Sequence, residues 1–116
     1  MIVAGTGNGS NQTAQIPAIW DFVVDVAATE PGYGTATYSN HGSVAAPGGS
    51  KADCRDNPEL CMVGAAEIIH SGFAYWTGTS FAAPLVSGLA ALFLEHDPTL
   101  TPVSYTHLTL PTTSRV

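Results

Sequence analysis

Basic residues are scarce in this chain of 116 residues: Lys51, Arg55 and Arg115 stand against nine acidic residues, and the formal net charge is −6. Proteins that bind nucleic acid or anionic membrane surfaces use clusters of Lys and Arg for that purpose. We therefore expect neither nucleic acid nor an anionic membrane surface as a partner. Hydrophobic residues make up 45% of the chain, which is typical of one ordinary folded domain and not of a disordered chain.

The chain also lacks a long apolar run. The longest candidate, residues 81–94, is interrupted by Pro84, Ser87 and Gly88, whereas a membrane-spanning helix needs about eighteen consecutive apolar residues. We expect no membrane span. The first ten residues, MIVAGTGNGS, have neither the basic leader nor the apolar stretch of a signal peptide. The sequence thus predicts either a protein that is not exported or one whose beginning is missing.

Only two cysteines are present, Cys54 and Cys61, in the segment CRDNPELC. Their spacing fits neither the C-x-x-C pair of zinc sites nor a redox motif. We expect a local disulfide that closes a polar loop, which would indicate an oxidising compartment, with two free thiols as the alternative. Nothing in the sequence resembles a metal-binding His pair, and we predict no metal site.

Short apolar segments between Gly, Pro and Asn predict strands. These segments are MIVAG, DFVVDVAAT, the hairpin-like TATYSN, the apolar piece of HGSVAAPGGS, MVGAAEII and FAYWTG. Residues 79–96 predict a helix that is apolar nearly all round and so buried on every side. Thr101 and Pro102 could begin another helix, but residues 103–116 lack a helical apolar period. We predict no helix there and expect a non-native or unstructured tail.

Ser80 lies at the first turn of the predicted helix, in the segment TGTSFAAPLVSGLAALF. Backbone N–H groups without partners and the positive end of the helix dipole make such a turn an anion site. Ser80 could attack a carbonyl carbon while its own N–H helps to hold the resulting oxyanion. The alternative is that Ser80 or Thr79 only caps the helix.

Asn8 follows the first predicted strand in the glycine-rich turn VAGTGNGSN. A side-chain amide that is fixed in such a turn can donate a hydrogen bond to a developing oxyanion. Dinucleotide binding is discounted, because Gly5, Gly7 and Gly9 do not form the G-x-G-x-x-G pattern and no amphipathic helix follows before Pro17. The other interpretation is a turn in which Asn8 adopts an unusual backbone conformation.

A serine nucleophile needs a general base, and the histidines are the candidates. They are His41, His70, His96 and His107. Each also has an ordinary interpretation, as part of a turn, a strand end, a helix C-terminus and the tail. His41 lies among turn residues, so we do not expect it to be catalytic. Asp21 and Asp25 flank an apolar strand, and we expect both carboxylates to face solvent or to lie at a strand edge.

The segment GTSFAAPLVSGLAAL closely resembles the nucleophile motif of the subtilisin-like serine peptidases, G-T-S-M-A-x-P followed by a helix rich in Val and Ala. IVAGTGNGS is similar to the strand and loop of that family that end in A-x-G-N-x-G. FVVDVAAT and ATYSNHGSVAAPGG resemble its middle segment, with S-N-x-G and A-P-G. These motifs occur in the order of the family over residues 1–102.

This resemblance implies a three-layer α/β fold with a mostly parallel sheet. It also implies a serine endopeptidase that forms an acyl-enzyme on Ser80, with Asn8 in the oxyanion hole and with Gly78 and Thr79 around the nucleophile. Calcium is common in the family, but no residue here can be assigned as a ligand, and no other cofactor is identifiable. A secreted or extracytoplasmic location is implied as well.

The D-T/S-G and H-G-T-H motifs that carry the Asp and His of the triad do not occur in the sequence. We therefore expect residues 1–102 to be the C-terminal portion of a peptidase domain that is inactive alone. Its expected partners are a polypeptide substrate and the N-terminal half of the catalytic domain. The alternatives are a non-catalytic binding or structural remnant of a peptidase, and a chain completed by a separately encoded partner that supplies Asp and His.

Overall fold

The computed structural model describes residues 1–32, 34–51, 54–67 and 71–109. The elements are β1 (Ile2–Gly5), β2 (Val23–Thr29), β3 (Val44–Pro47), a 3-10 turn (Pro58–Leu60), β4 (Met62–Ala65), β5 (Phe73–Trp76), α1 (Thr79–His96) and α2 (Pro102–Thr109). His70 and residues 110–116 of the predicted tail lie outside the described residues, and the side chain of His107 does as well.

Three parallel strands form the main sheet, in the order β1-β2-β3. Ile2 pairs with Val23, and Val26 pairs with Val44. The central strand, VVDVAAT, is apolar at all but two positions and mostly buried, as expected for a parallel strand with covered faces. The parallel sheet, with helices packed against it, confirms the predicted α/β class.

Helix α1 packs against all three strands of this sheet. Its inner face consists of Thr79, Ala82, Val86 and Ala90, spaced three or four residues apart, and all four are buried. The bounds predicted for the helix are confirmed, but the prediction that it is buried on every side is wrong. Leucines on the outer face are 43 to 64% exposed, because the described part of the chain covers only the inner face. These leucines are Leu85, Leu89 and Leu92.

The segment TATYSN does not form the predicted hairpin strand, and only an isolated bridge joins Thr29 to Thr35. Ala36 and Tyr38 are buried and Thr37 between them is exposed, so the segment has the alternation of a strand without its pairing. The Tyr38 hydroxyl donates to the carbonyl oxygens of Gly48 (2.8 Å) and Gly49 (2.7 Å). Ala36 and Tyr38 are part of the hydrophobic core that the main sheet forms with the helices, although the segment does not pair as a strand.

Residues Pro102–Thr109 form helix α2, so the prediction that no helix follows Pro102 is wrong. Thr101 Oγ1 accepts a hydrogen bond from the Ser104 N–H at 3.2 Å and caps the first turn. Tyr105 is fully buried, contacts the ring of Phe93 edge-on with the centroids 5.7 Å apart, and donates from its hydroxyl to the carbonyl of Val86. One buried aromatic residue stabilises this helix against α1. Its sequence therefore has no apolar period from which a helix could be predicted.

The two buried phenols predict a loss of stability in alkali. Burial raises the pKa of Tyr38 and that of Tyr105 above the ordinary value for tyrosine. The two hydroxyls then ionise at a lower pH in the unfolded chain than in the folded one. Their contribution to the free energy of unfolding is therefore fully present below about pH 10 and is lost as the pH rises further. We expect the denaturant midpoint to fall above about pH 10, and we expect Tyr38→Phe with Tyr105→Phe to reduce that fall.

The matched control is Tyr75→Phe, because the Tyr75 side chain is 49% exposed. This substitution is expected to leave the slope of the midpoint against pH unchanged. Equal slopes for the unmodified protein and the Tyr38/Tyr105 double variant would contradict the prediction.

Candidate active site

The loop after β1 carries Asn8 beyond the carboxyl end of the parallel sheet. Gly7 has a φ of 106°, a backbone conformation that L side chains rarely adopt. A Cβ at this position would also lie only 2.8 Å from the side chains of Gln15 and Asn40. Glycine is therefore required immediately before Asn8, whose own side chain is exposed at the surface.

The turn Gly78-Thr79-Ser80 begins helix α1. Gly78 has φ 142° and ψ 159°, a conformation that is essentially restricted to glycine, and its N–H donates to the carbonyl of Gly48 at 2.9 Å. Thr79 is buried, whereas Ser80, the second residue of the helix, is exposed. This turn therefore presents the Ser80 hydroxyl to solvent from a rigid helix end.

Asn8 and Thr79 are joined by two hydrogen bonds although they are 71 residues apart. Asn8 Oδ1 accepts from the Thr79 N–H at 3.0 Å and from Thr79 Oγ1 at 3.1 Å. Thr79 Oγ1 in turn accepts from the Gly7 N–H at 3.2 Å. The oxygen of the Asn8 amide is thus occupied, whereas its NH₂ group makes no hydrogen bond with the residues that the structure describes.

This arrangement answers whether Ser80 or Thr79 only caps the helix. The N-cap residue is Gly78, which has no side chain, and the first backbone N–H of α1 is bound by Asn8 from another loop. The Thr79 hydroxyl is directed to Asn8 and Gly7 instead of to its own helix. Ser80 makes no side-chain hydrogen bond with the described residues.

The geometry suits the stabilisation of an oxyanion. Backbone N–H groups in the first turn of a helix have no intrahelical acceptor, and the dipole is positive there. A carbonyl attacked by Ser80 Oγ would develop its negative charge at this helix start, where Thr79 holds the Asn8 amide. Fixed donors at such a position are what acyl transfer requires.

The close approach of Gly78 to Asn8 predicts a costly substitution. A Cβ at Gly78 would lie 3.2 Å from Asn8 Nδ2, in a backbone conformation that disfavours L side chains. Gly78→Ala is therefore expected to lower the free energy of unfolding by about 1–3 kcal/mol, measured by denaturant titration. It should also displace the Asn8 amide.

Gly88→Ala is the matched control within the same helix. A Cβ at Gly88 meets nothing within 4 Å, and alanine favours a helix over glycine by up to about 1 kcal/mol. This variant is expected to be as stable as the unmodified protein or more so. A gain in stability from Gly78→Ala would contradict the conformational argument.

The structure describes the side chains of four of the histidine and aspartate candidates, and these four lie away from Ser80: His41, His96, Asp21 and Asp25. His96 is the last residue of α1, about 24 Å along the helix from Ser80 at 1.5 Å per residue. His41 lines a separate groove of about 640 Å³ together with Asp21 and Asp25. Asp25 Oδ2 accepts from the Ser43 N–H at 3.0 Å. The structure thus brings together Ser80, Asn8 and their neighbouring turn residues.

Cys54 and Cys61 form a disulfide with their Cα atoms 5.9 Å apart. The bridge closes the loop that leads directly into β4. Strand β4 pairs with β5 in an antiparallel hairpin in which Met62 lies opposite Trp76. Because Trp76 is only two residues before Gly78, the hairpin leads directly into the turn that begins α1.

Sequence reasoning missed one residue of the site. Asn40 is fully buried and hydrogen-bonded to the loop that carries Asn8. The signal was present in the segment ATYSNHG, which contributed to the resemblance but received no role. Its partners lie about thirty residues away in sequence, so no local pattern could identify them.

Comparison with known proteins decides the family. The sequence profile described as "Subtilase family" matches residues 1–116. The chain belongs to the subtilase family. This membership confirms the resemblance seen in the motifs around Ser80 and Asn8.

Individual relatives support the assignment. The subtilase chain is 35% identical to the extracellular basic protease of Dichelobacter nodosus. The match covers 99% of this chain and 19% of the Dichelobacter protein. A protease from Pseudoalteromonas arctica PAMC 21717 has a similar structure, with a TM-score of 0.71 and 34% identity over 97% of this chain and 35% of the other. A cold-adapted subtilisin-like serine proteinase matches with a TM-score of 0.69 and 29% identity, over 90% of this chain and 35% of that one.

The subtilase chain therefore spans about a fifth of the length of the Dichelobacter protease and about a third of each solved chain. All three relatives are named as proteases; the cold-adapted one is named as a serine proteinase, and the Dichelobacter protein is named as extracellular. None of the helices in the described part of the chain has the length and apolarity that a bilayer span requires.

Proposed function

We propose that this subtilase chain supplies the nucleophile and the oxyanion hole of a serine endopeptidase that hydrolyses peptide bonds in polypeptides. One observation carries the proposal. The Asn8 oxygen is held by Thr79, the residue directly before Ser80, and the Asn8 NH₂ group is left to face a ligand. If the turn only capped a helix, there would be no reason for a second loop to place the Asn8 amide next to an exposed serine.

The reaction follows from these positions. Ser80 Oγ attacks the carbonyl carbon of the peptide bond while a histidine takes the hydroxyl proton, and the Ser80 N–H and Asn8 Nδ2 hold the oxyanion. The C–N bond then breaks, the amine leaves with that proton, and an ester on Ser80 remains. Water hydrolyses the ester and regenerates the Ser80 hydroxyl.

The histidine and the aspartate that orients it would come from sequence outside these 116 residues. His96 is at the far end of α1, and the triad motifs of the family do not occur in the chain. We therefore propose that the chain alone does not hydrolyse peptides. The name of the Dichelobacter relative and the Cys54–Cys61 disulfide favour an extracytoplasmic location for the complete protein.

The test is covalent labelling of the complete product of the gene that encodes these residues. A fluorophosphonate, which reacts with serines activated by a base, is expected to attach to Ser80 and to stop casein hydrolysis in proportion. Mass spectrometry of the peptide that contains Ser80 locates the adduct. The 116-residue chain on its own is expected to be neither labelled nor active.

Two outcomes would count against the proposal. Casein hydrolysis with the adduct on another serine would remove Ser80 from the nucleophile role. A complete gene product that neither hydrolyses casein nor reacts with the probe would favour the alternative, a non-catalytic binding or structural remnant of a peptidase.

A further inference from the structure

Asn40 is a fully buried polar residue beneath the loop that carries Asn8. Its Oδ1 accepts hydrogen bonds from the Gly9 N–H at 3.0 Å and from the Asn11 N–H at 2.9 Å. Its Nδ2 donates to the carbonyl of Thr6 at 2.9 Å. The backbone N–H of Asn40 donates to the carbonyl of Gly7 at 2.9 Å. Asn40 thus binds the loop at four of its residues.

These four residues enclose Asn8. The carbonyl of Gly7 comes directly before Asn8 and the N–H of Gly9 directly after it, and both are bound to Asn40. Glycines on both sides give this loop a large conformational freedom that its own sequence does not restrict. Fixing the two flanking peptide groups against one buried residue restricts the direction in which the Asn8 side chain leaves the backbone.

The chemistry of the Asn40 side chain matches the task. A planar amide has an acceptor with two lone pairs and a donor on the same carbon. Here the acceptor serves two N–H groups and the donor serves one carbonyl. Aspartate would lack the donor for Thr6, and alanine would leave two N–H groups in the loop without that acceptor.

We propose that Asn40 is a positioning residue of the oxyanion hole, which acts on the reaction through Asn8. The proposal rests on the function proposed above. Thr79 holds the oxygen of the Asn8 amide from one side, and Asn40 holds the backbone of Asn8 from the other. Both the side chain of Asn8 and the peptide groups on either side of it are therefore fixed.

A double-mutant cycle in the complete gene product separates positioning from general destabilisation. Asn40→Ala is expected to lower kcat by about ten-fold or more with little change in KM, because misplacing a donor weakens binding of the transition state only. In a protein that already carries Asn8→Ala, the same change is expected to lower kcat by no more than about two-fold, since the group it positions is gone.

Ser10→Ala is the matched control. It removes another hydrogen bond of the same loop, from Ser10 Oγ to the carbonyl of Thr37 at 2.7 Å, on the exposed side. It is expected to leave kcat unchanged. The proposal is overturned if Asn40→Ala lowers kcat by the same factor with and without Asn8, or if it changes KM alone.

Hydrogen exchange in the unmutated protein decides the matter if Asn40→Ala does not fold. The Gly9 and Asn11 amides lie in a surface loop, and their bonds to Asn40 are expected to slow their exchange at least about ten-fold relative to an unstructured peptide. Exchange of both amides at the unstructured rate would overturn the proposal. Hydrogen exchange does not depend on catalytic activity. An unmutated protein that shows no Ser80-dependent hydrolysis would therefore contradict only the proposed function.

Discussion

Ser80→Ala is expected to abolish peptide hydrolysis by the complete gene product, with kcat lowered by several powers of ten and KM nearly unchanged. Loss of the serine lowers kcat by about 10⁶-fold in subtilisin, a member of this family, and the figure is taken from that enzyme. The reason is that the other hydroxyl at the start of α1, that of Thr79, is buried and hydrogen-bonded to Asn8. Initial rates on a chromogenic peptide, at substrate concentrations that span KM, give both constants.

Ser87→Ala is the control for this prediction. Ser87 is an exposed serine of the same helix, and its hydroxyl donates to the carbonyl of Ala83 at 3.0 Å. Because this bond lies about two turns from the site, the substitution is expected to leave kcat and KM unchanged. A Ser80→Ala protein that retained more than about 1% of kcat would show that Ser80 is not the nucleophile.

Asn8→Ala is expected to lower kcat by about 10²- to 10³-fold, again with little change in KM. The size of this effect is that of the corresponding asparagine in subtilisin itself. In the proposed mechanism the amide donates to charge that exists only after Ser80 has attacked, so its loss is expected to affect the transition state and not the bound substrate. Steady-state kinetics of the complete gene product measure both constants.

Asn8→Asp sharpens this test. Aspartate keeps an oxygen for the two hydrogen bonds from Thr79 but places a negative charge where the NH₂ group was. We expect a larger loss of kcat than from Asn8→Ala, because the carboxylate repels the oxyanion. Gln12→Ala, which removes an exposed amide from the same loop, is the control and should be neutral. An equal fall in kcat from Gln12→Ala would point to disturbance of the loop instead of loss of a donor.

The sequence predicted those parts of the site that depend on neighbouring residues. The apolar composition of residues 79–96 predicted α1 at its observed bounds, and the motif around Ser80 placed that residue at the exposed start of the helix. The strands β1 and β2 were also predicted, because each is a short apolar segment followed by a turn that contains glycine. Local composition is enough to indicate these elements, although pairing and packing with the rest of the sheet stabilise them.

What the sequence did not predict depends on distant partners. The roles of Thr79 and Asn40 are set by hydrogen bonds that connect residues about 30 to 70 positions apart. Helix α2 depends on the burial of Tyr105 against α1, and the exposure of Leu85 depends on which faces of α1 the described residues cover. Such contacts leave no periodic pattern in the sequence, so only the three-dimensional arrangement shows them.

The long sequence separation between Asn8 and Thr79 has a consequence for the order of folding. During synthesis Asn8 leaves the ribosome many residues before Thr79, and β1 can pair with β2 while α1 is still being made. Closing so long a loop costs entropy that is recovered only when the last contacts form. We therefore expect the contact between Asn8 and Thr79 to form late in folding. In the proposed function turnover requires this contact, so it would report that the whole segment from β1 to α1 has reached its native topology.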